Sequence, residues 1–178
     1  PSVTQSAATS EQNALLEAIQ NKLGMVPNFL AVLANSPEAL QAFLGLHGIS
    51  EAGRLAPQTR ERIALAVAQD NSCEYCVSAH TAIGRKAGLS ASEIMANRAG
   101  TSEDTKAAAA VVFAQALNSH LGEVTSAEFD AVRRAGYDDG EIVEIITHVG
   151  MNILANLIGK ASQVDIDFPK VSLRDQAA

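Results

Sequence analysis

An all-α fold is predicted from three observations: apolar residues recur at helical spacing, the composition favours helix formers over aromatics, and helix caps recur along the chain. Hydrophobic residues make up 47% of the 178 residues, but aromatics only 4%, with no Trp. The core must therefore be aliphatic and Ala-rich, and Ala and Leu are the strongest helix formers. No stretch shows a convincing period of two. A chain of this length suits one domain that buries a core without staples. We read residues 1–178 as a single domain, with its core over about 20–170 and flexible ends at 1–10 and 171–178.

The elements follow in order. In TSEQNALLEAIQNKLG the apolar residues Leu15, Leu16, Ile19 and Leu23 fall near helical spacing and Gly24 marks a stop. After MVPNFLAVLANSP, Ser36 is an N-cap with Pro37 at the first helical position. Pro57 opens the helix PQTRERIALAVAQD. Asn71 and Ser72 are both good N-cap residues for the next helix, which puts Cys73 in its first turn. Ser90 with Glu93 and Thr125 with Glu128 form capping boxes, and Asp138 with Glu141 is an Asp-headed version. SEDTKAAAAVVFAQALNSHLG reads as a long helix whose Ala run, 107–110, suits close packing. The last helix, GEIVEIITHVGMNILANLIGKAS, is apolar over most of its surface and should be largely buried.

RKAGLSASEIMA and RRAGYDDGEIVEI echo one another, either as two related helical halves or as the shared grammar of helix-turn-helix units. The ending VDIDFPKVSLRDQAA loses helical spacing and reads as an arm able to lie across a neighbouring subunit, then a frayed tail.

Net charge is −7 and pI about 5.0. Basic residues never cluster beyond a pair (Arg85-Lys86, Arg133-Arg134), which excludes a nucleic-acid footprint. Runs such as IALAVA and AAAAVVFAQAL fall short of the roughly 20 residues that span a bilayer. No charged region followed by an apolar one opens the sequence. These features predict a soluble, cytoplasmic protein. In that reducing compartment a single close cysteine pair points to redox chemistry or metal binding rather than a structural staple.

That pair lies in NSCEYCVSAHTAIG, residues 71–84. Cys73, Cys76 and His80 stand at i, i+3 and i+7, on one helix face. The spacing lets the thiols approach within disulfide reach, the helix N-terminus favours thiolate, and His80 can take or stabilise a thiol proton. Lowering a thiol pKa from about 8.5 to about 7 raises the thiolate share at neutral pH from a few per cent to about half, for about 2 kcal/mol. Glu61, twelve residues before Cys73, could orient His80 if the two helices pack antiparallel; on the residues alone, a surface pairing with Arg60 or Arg62 is the simpler account. Dipole reasoning favours Cys73 as the attacking thiol, and proximity to His80 favours Cys76.

The pattern Glu61, Cys73-X-X-Cys76, His80 resembles the alkylhydroperoxidase D (AhpD) core of the carboxymuconolactone decarboxylase superfamily. LGMVPNFLAVLANSPEAL and VDIDFP resemble its peroxidase-related branch, and the similarity spans roughly residues 20–170. The resemblance implies an all-helical AhpD-like bundle assembled as a homotrimer or homohexamer. It implies a thiol peroxidase in which Cys76 attacks the hydroperoxide, Cys73 resolves, and Glu61 and His80 relay protons. An external dithiol, a lipoyl group or a thioredoxin-like partner, would reopen the disulfide, with no organic cofactor. Where the family carries a second relay histidine between the cysteines, this chain has Tyr75, a poor base near pH 7, which predicts slow turnover or a proton served from elsewhere. The decarboxylase branch lacks the dithiol, so lactone decarboxylation is not expected.

Glu144, His148, Asn152 and Asn156 recur every four residues on the last helix, as a polar seam, a cavity lining or a subunit contact. His148 is a candidate to replace the missing relay histidine. His47 and His120, near helix C-termini, receive no function. The alternatives to the peroxidase are a protein disulfide reductase, a redox-sensing interaction protein, a zinc site of Cys73, Cys76, His80 and Glu61, or two inert core cysteines.

Overall fold

A computed structural model describes residues 2–4 and 7–174. These form nine helices and no strand: α1 (Ser10–Leu23), α2 (Asn28–Leu33), α3 (Pro37–Glu51), α4 (Pro57–Asp70), α5 (Glu74–Lys86), α6 (Ala91–Arg98), α7 (Thr105–Ser119), α8 (Ser126–Arg134) and α9 (Asp139–Ala161). The all-α fold is as the spacing predicts. One helix, α2, lies in MVPNFLAVLANSP, where the sequence signals no start or stop. Pro27 stands at its N-cap without a side-chain cap bond, and Phe29, Leu30 and Leu33 are buried, so packing rather than capping holds it.

Most starts follow from local chemistry. Ser36 accepts a hydrogen bond from the Ala39 N–H, with Pro37 in the first turn of α3. Thr125 with Glu128 and Asp138 with Glu141 make full reciprocal boxes, as does Thr9 with Gln12 at α1. Ser90 makes only half of one. Its hydroxyl accepts from the Glu93 N–H, but the Glu93 carboxylate turns inward to Arg62, Asn97, Ser102 and the Glu103 N–H. The echo between RKAGLSASEIMA and RRAGYDDGEIVEI is one turn geometry used twice: Gly88 (φ +96°) and Gly136 (φ +95°) take the left-handed conformation open to glycine between a basic helix end and a capped start.

α4 is the central helix, packed on α5, α6, α7 and α9, and its residues from Ile63 to Gln69 are all buried. On one side Leu16, Phe29, Leu33, Leu40, Val77 and the two cysteines form a cluster with α1, α2 and α3. On the other, Ile63, Val67, Phe113, Leu117, Ile142 and Ile145 join α4 to α7 and α9. Small residues permit the close approach, since Ala64, Ala66, Ala68, Ala107, Ala110 and Ala114 are each at most 2% exposed.

The expectation that no segment is long enough to cross a bilayer needs correction for α9, whose 23 residues pass by length and composition. Half of its apolar window is buried where the helix packs on α3, α4, α5, α7 and α8, as a core helix does. The C-terminal arm, expected to reach a neighbouring subunit, closes on its own chain. The Asn28 N–H donates to Asp167 Oδ2 at 2.6 Å, and Phe168 meets the Tyr75 ring edge-on at 5.8 Å. The Val171 N–H donates to Ser78 Oγ at 3.0 Å, and Arg98 Nη2 to the Ser172 carbonyl at 2.7 Å. The frayed ends expected at 1–10 and 171–178 fall partly outside the described residues, at 1, 5, 6 and 175–178; residues 171–174 are tied down as above.

Glu93 gives the fold a pH dependence. Burial pushes its carboxyl up, but the Ser102 hydroxyl, the Asn97 amide, the Glu103 N–H and Arg62 together outweigh it and hold the pKa at about 2. The stabilisation is therefore fully present above the ordinary value of 4.5 and is lost as pH falls towards about 2. Urea unfolding should find Glu93→Gln weaker by on the order of 2 kcal/mol at neutral pH. That difference should shrink through the acid window; one that stays constant with pH would rule out the carboxylate network as its source.

Candidate active site

The site is built around the reversal between α4 and α5. Asn71 ends α4, Ser72 takes a left-handed conformation (φ 53°), and the Cys73 N–H donates to the Ala68 carbonyl at 2.9 Å. The chain turns back within three residues, so α4 and α5 run antiparallel. The side-chain amides of Asn71, Asn118 and Asn156 lock the turn to α7 and α9 at 2.9 to 3.1 Å, and Lys160 Nζ donates to the Asn71 carbonyl at 2.7 Å.

Cys73 is itself the N-cap of α5, so the cap falls later than the Asn71 or Ser72 position that the sequence suggests. Its sulfur accepts from the Cys76 N–H at 3.4 Å, which places the cap at the positive end of the helix dipole. Cys73 and Cys76 are joined as a disulfide, with Cα atoms 5.3 Å apart, and are 1% and 3% exposed. Gly159 on α9 closes over the pair. A Cβ built there would lie 3.2 Å from the Cys73 sulfur and 3.7 Å from that of Cys76, so a glycine lets the last helix touch the disulfide.

Glu61 Oε2 lies 2.9 Å from His80 Nδ1, and both side chains are largely buried. The arginines beside Glu61 are engaged elsewhere: Arg60 donates to the Glu51 carbonyl and Arg62 to Glu93. His80 stands one turn beyond Cys76. Among the described residues no group of three or more His, Cys, Asp or Glu side chains is arranged to hold a metal ion.

Tyr75 faces away from this pair. Its hydroxyl accepts from the Phe29 N–H at 3.4 Å, its ring lies between Phe29 and Phe168, and burial, with the Asp167 carboxylate nearby, pushes its pKa up. It anchors α2 and the arm, and cannot act as a base.

The polar stripe on α9 divides by depth. Glu144 accepts the Arg54 and Leu55 N–H groups of the α3–α4 loop, while Asn156 belongs to the amide lock. His148 and Asn152 line a cavity together with His80 and Glu61. His148 does not fit the place of a relay histidine between the cysteines. It is eleven residues from Gly159, about 16 Å along the helix at 1.5 Å per residue. His47, without a function in the sequence, lines the same cavity beside Phe43, and burial lowers its pKa against the pull of Glu51. A second, open groove is lined by Ser72, Cys73, Glu74, Gly159, Lys160 and Gln163, among others. The open groove thus reaches Cys73, whereas neither cysteine lines the cavity beside His80.

An all-helical protein with a disulfide at a helix start and a carboxylate-histidine pair one turn on belongs to a recognisable class of thiol-bearing bundles. Residues 37–119 match the profile of the carboxymuconolactone decarboxylase family, and this match, together with similar solved structures, supports a place in the AhpD/carboxymuconolactone decarboxylase superfamily. It is similar to an uncharacterized peroxidase-related protein with an AhpD core from Ralstonia eutropha JMP134. That pair shares 25% identity over 95% of this chain and 90% of the other, with a TM-score of 0.82. A peroxidase-related protein from Silicibacter sp. TM1040 shares 25% identity over 93% of this chain and 91% of the other, with a TM-score of 0.80. The debrominase Bmp8, at 22% identity over 93% and 90% with a TM-score of 0.78, shares the fold. No curated protein matches the sequence.

The close approach of α9 predicts opposite outcomes at two of its glycines. Gly150 meets nothing within 4 Å, so Gly150→Ala should stabilise the oxidised protein by up to about 1 kcal/mol through helix propensity. Gly159→Ala should instead destabilise it by about 1 kcal/mol, because the sulfur must move. Equal gains in denaturant midpoint for both variants would remove the packing argument.

Proposed function

We propose that the protein is a thiol peroxidase that reduces an organic hydroperoxide through Cys76 and Cys73 and is regenerated by an external dithiol. The observation that carries this reading is the Glu61–His80 pair one turn beyond a disulfide-bonded Cys73–Cys76 pair. In the reduced protein the Cys76 thiolate attacks the outer peroxide oxygen. The O–O bond breaks, Cys76 becomes a sulfenic acid, and the departing alkoxide takes a proton from His80. Glu61 at 2.9 Å orients the imidazole. The Cys73 thiolate then attacks the sulfenic sulfur, expels hydroxide, which leaves as water on protonation, and forms the disulfide.

Regeneration uses the other side. A dithiol, lipoyl or thioredoxin-like, enters the open groove at Cys73, attacks that sulfur and releases Cys76 as thiolate beside His80. It leaves as its own disulfide, so two electrons pass per cycle. The family precedent extends the reading to a homotrimer or homohexamer working in the cytosol, where the dithiol pool is reducing.

With dihydrolipoamide and an organic hydroperoxide such as cumene hydroperoxide, wild type should sustain turnover and Cys76→Ser and Cys73→Ser should not. Glu61→Gln should slow it by on the order of tenfold or more, while Tyr75→Phe should leave it at the wild-type level. A wild type as inactive as the cysteine variants would overturn the peroxidase reading.

A further inference from the structure

The outer face of α9 is uncovered. Val143, Ile146, Leu154 and Leu157 are 61%, 41%, 42% and 63% exposed on a helix whose opposite face lies in the core. With Gly150 at the centre they follow one another at intervals of three, four, four and three residues. At about 3.6 residues per turn this spacing draws one continuous stripe. Between Glu144 and Lys160 the helix carries no Asp, Glu, Lys or Arg. Ile49, at the end of α3 and 78% exposed, shares a groove with Thr147 at the edge of the stripe. Apolar residues scattered over a surface are ordinary, but a contiguous apolar patch marks a contact.

The order of the stripe identifies its occupant. Outward from Gly150 it is nearly the same in both directions. Ile146 and Leu154 stand four residues to either side and are equally exposed. Val143 and Leu157 stand seven to either side, and their exposure matches in turn. An unrelated protein or a lipid surface requires no such symmetry. A second copy of the chain does, because a two-fold interface sets one patch against itself with its direction reversed.

Charge agrees with the reversal. α9 begins with Asp139 and Glu141 and ends at Lys160 and Ala161, so antiparallel pairing sets each Lys160 towards the acidic end of the other helix and opposes the two dipoles. The net charge of −7 does not gather here, since Arg54, Arg133 and Lys106 pair with Asp138, Asp139 and Glu141. At the centre, a Cβ built on Gly150 meets nothing within 4 Å, so no side chain of its own fold stands before an approaching helix.

We infer that the outer face of α9 docks on the same face of a second copy, antiparallel about a two-fold axis at Gly150. Val143 then packs against the partner's Leu157, and Ile146 against the partner's Leu154. No cysteine and no step of the peroxidase reading enters this inference. Of the two assemblies in the family precedent, a homotrimer has no two-fold axis, whereas a homohexamer built from three such pairs does. The face therefore selects an even-numbered assembly.

The test is the mass of the full chain by sedimentation equilibrium, with Val143→Glu and Leu157→Glu as variants. Both side chains are largely exposed within one chain, so each variant should keep the wild-type circular dichroism. Wild type should sediment as a dimer or hexamer, and either variant should show a twofold lower mass. Wild type as a monomer or a trimer would overturn the inference, as would an unchanged mass in either folded variant. Gly150→Cys checks the register independently. Helices packed about 8–10 Å apart bring their facing Cα atoms to about 4–5 Å, close to the separation of about 4.4–6.8 Å that a disulfide spans. Under mild oxidation this variant should form covalent dimers at least about tenfold faster than Leu121→Cys, whose site is 87% exposed but off the stripe. Equal rates for the two variants would overturn the two-fold at Gly150. None of these readouts depends on turnover, so an inactive enzyme would defeat the peroxidase reading and leave this one standing.

Discussion

The three-residue reversal between α4 and α5 is the constraint on which the rest of the site depends. Because Ser72 adopts a left-handed backbone and the Cys73 N–H reaches back to Ala68, α5 must return along α4. That return brings Glu61 opposite His80, though nineteen residues separate them in sequence. It also makes Cys73 the cap of α5, so the same turn that brings Glu61 to His80 places a sulfur on the helix N-terminus. A left-handed non-glycine residue costs on the order of 1 kcal/mol or more. The amide lock of Asn71, Asn118 and Asn156 offsets this cost and holds the turn to the second half of the chain.

The cavity beside His80 and the groove beside Cys73 are walled by different elements. The first lies between α3, α4, α5 and α9 and mixes apolar side chains with Glu51, Arg60, Glu61 and three histidines. Towards Cys73 the cover is the end of α9 and the arm, which leave an open groove beside Lys160 and Glu74. Tyr75 lines the groove as well. It spends its hydroxyl and ring on α2 and Phe168, and so joins the first and last segments of the chain over the start of α5.

Local rules carried much of this in the sequence. The helical class, the proline and serine starts of α3 and α4, two full capping boxes and the shared face of Cys73, Cys76 and His80 are all matters of spacing within a few residues. What spacing could not reveal depends on contacts between distant segments. Glu61 has Arg on either side in the sequence, and only the folded chain commits Arg60 to a carbonyl and Arg62 to Glu93. Glu93 looks like half of a capping box, but burial beside Arg62 draws its carboxylate inward. His47 carries no motif at all; it joins the cavity because α3 crosses α9. Gly159 reads as an unremarkable helical glycine until α9 is laid against the sulfurs.

The contact between Gly159 and the disulfide bears on how far the motif can be transplanted. Glu61, Cys73, Cys76 and His80 all fall within 37–119, the stretch that carries the family profile. Yet the wall over the sulfurs and one arm of the amide lock come from α9, beyond it. A fragment ending at residue 119 would keep every reactive group and lose the surface that shields them. Grafting the four residues onto another helical pair would likewise yield a solvent-exposed dithiol, open to glutathione and to over-oxidation. A substitution on α9 can thus press on the disulfide without altering any of these four residues.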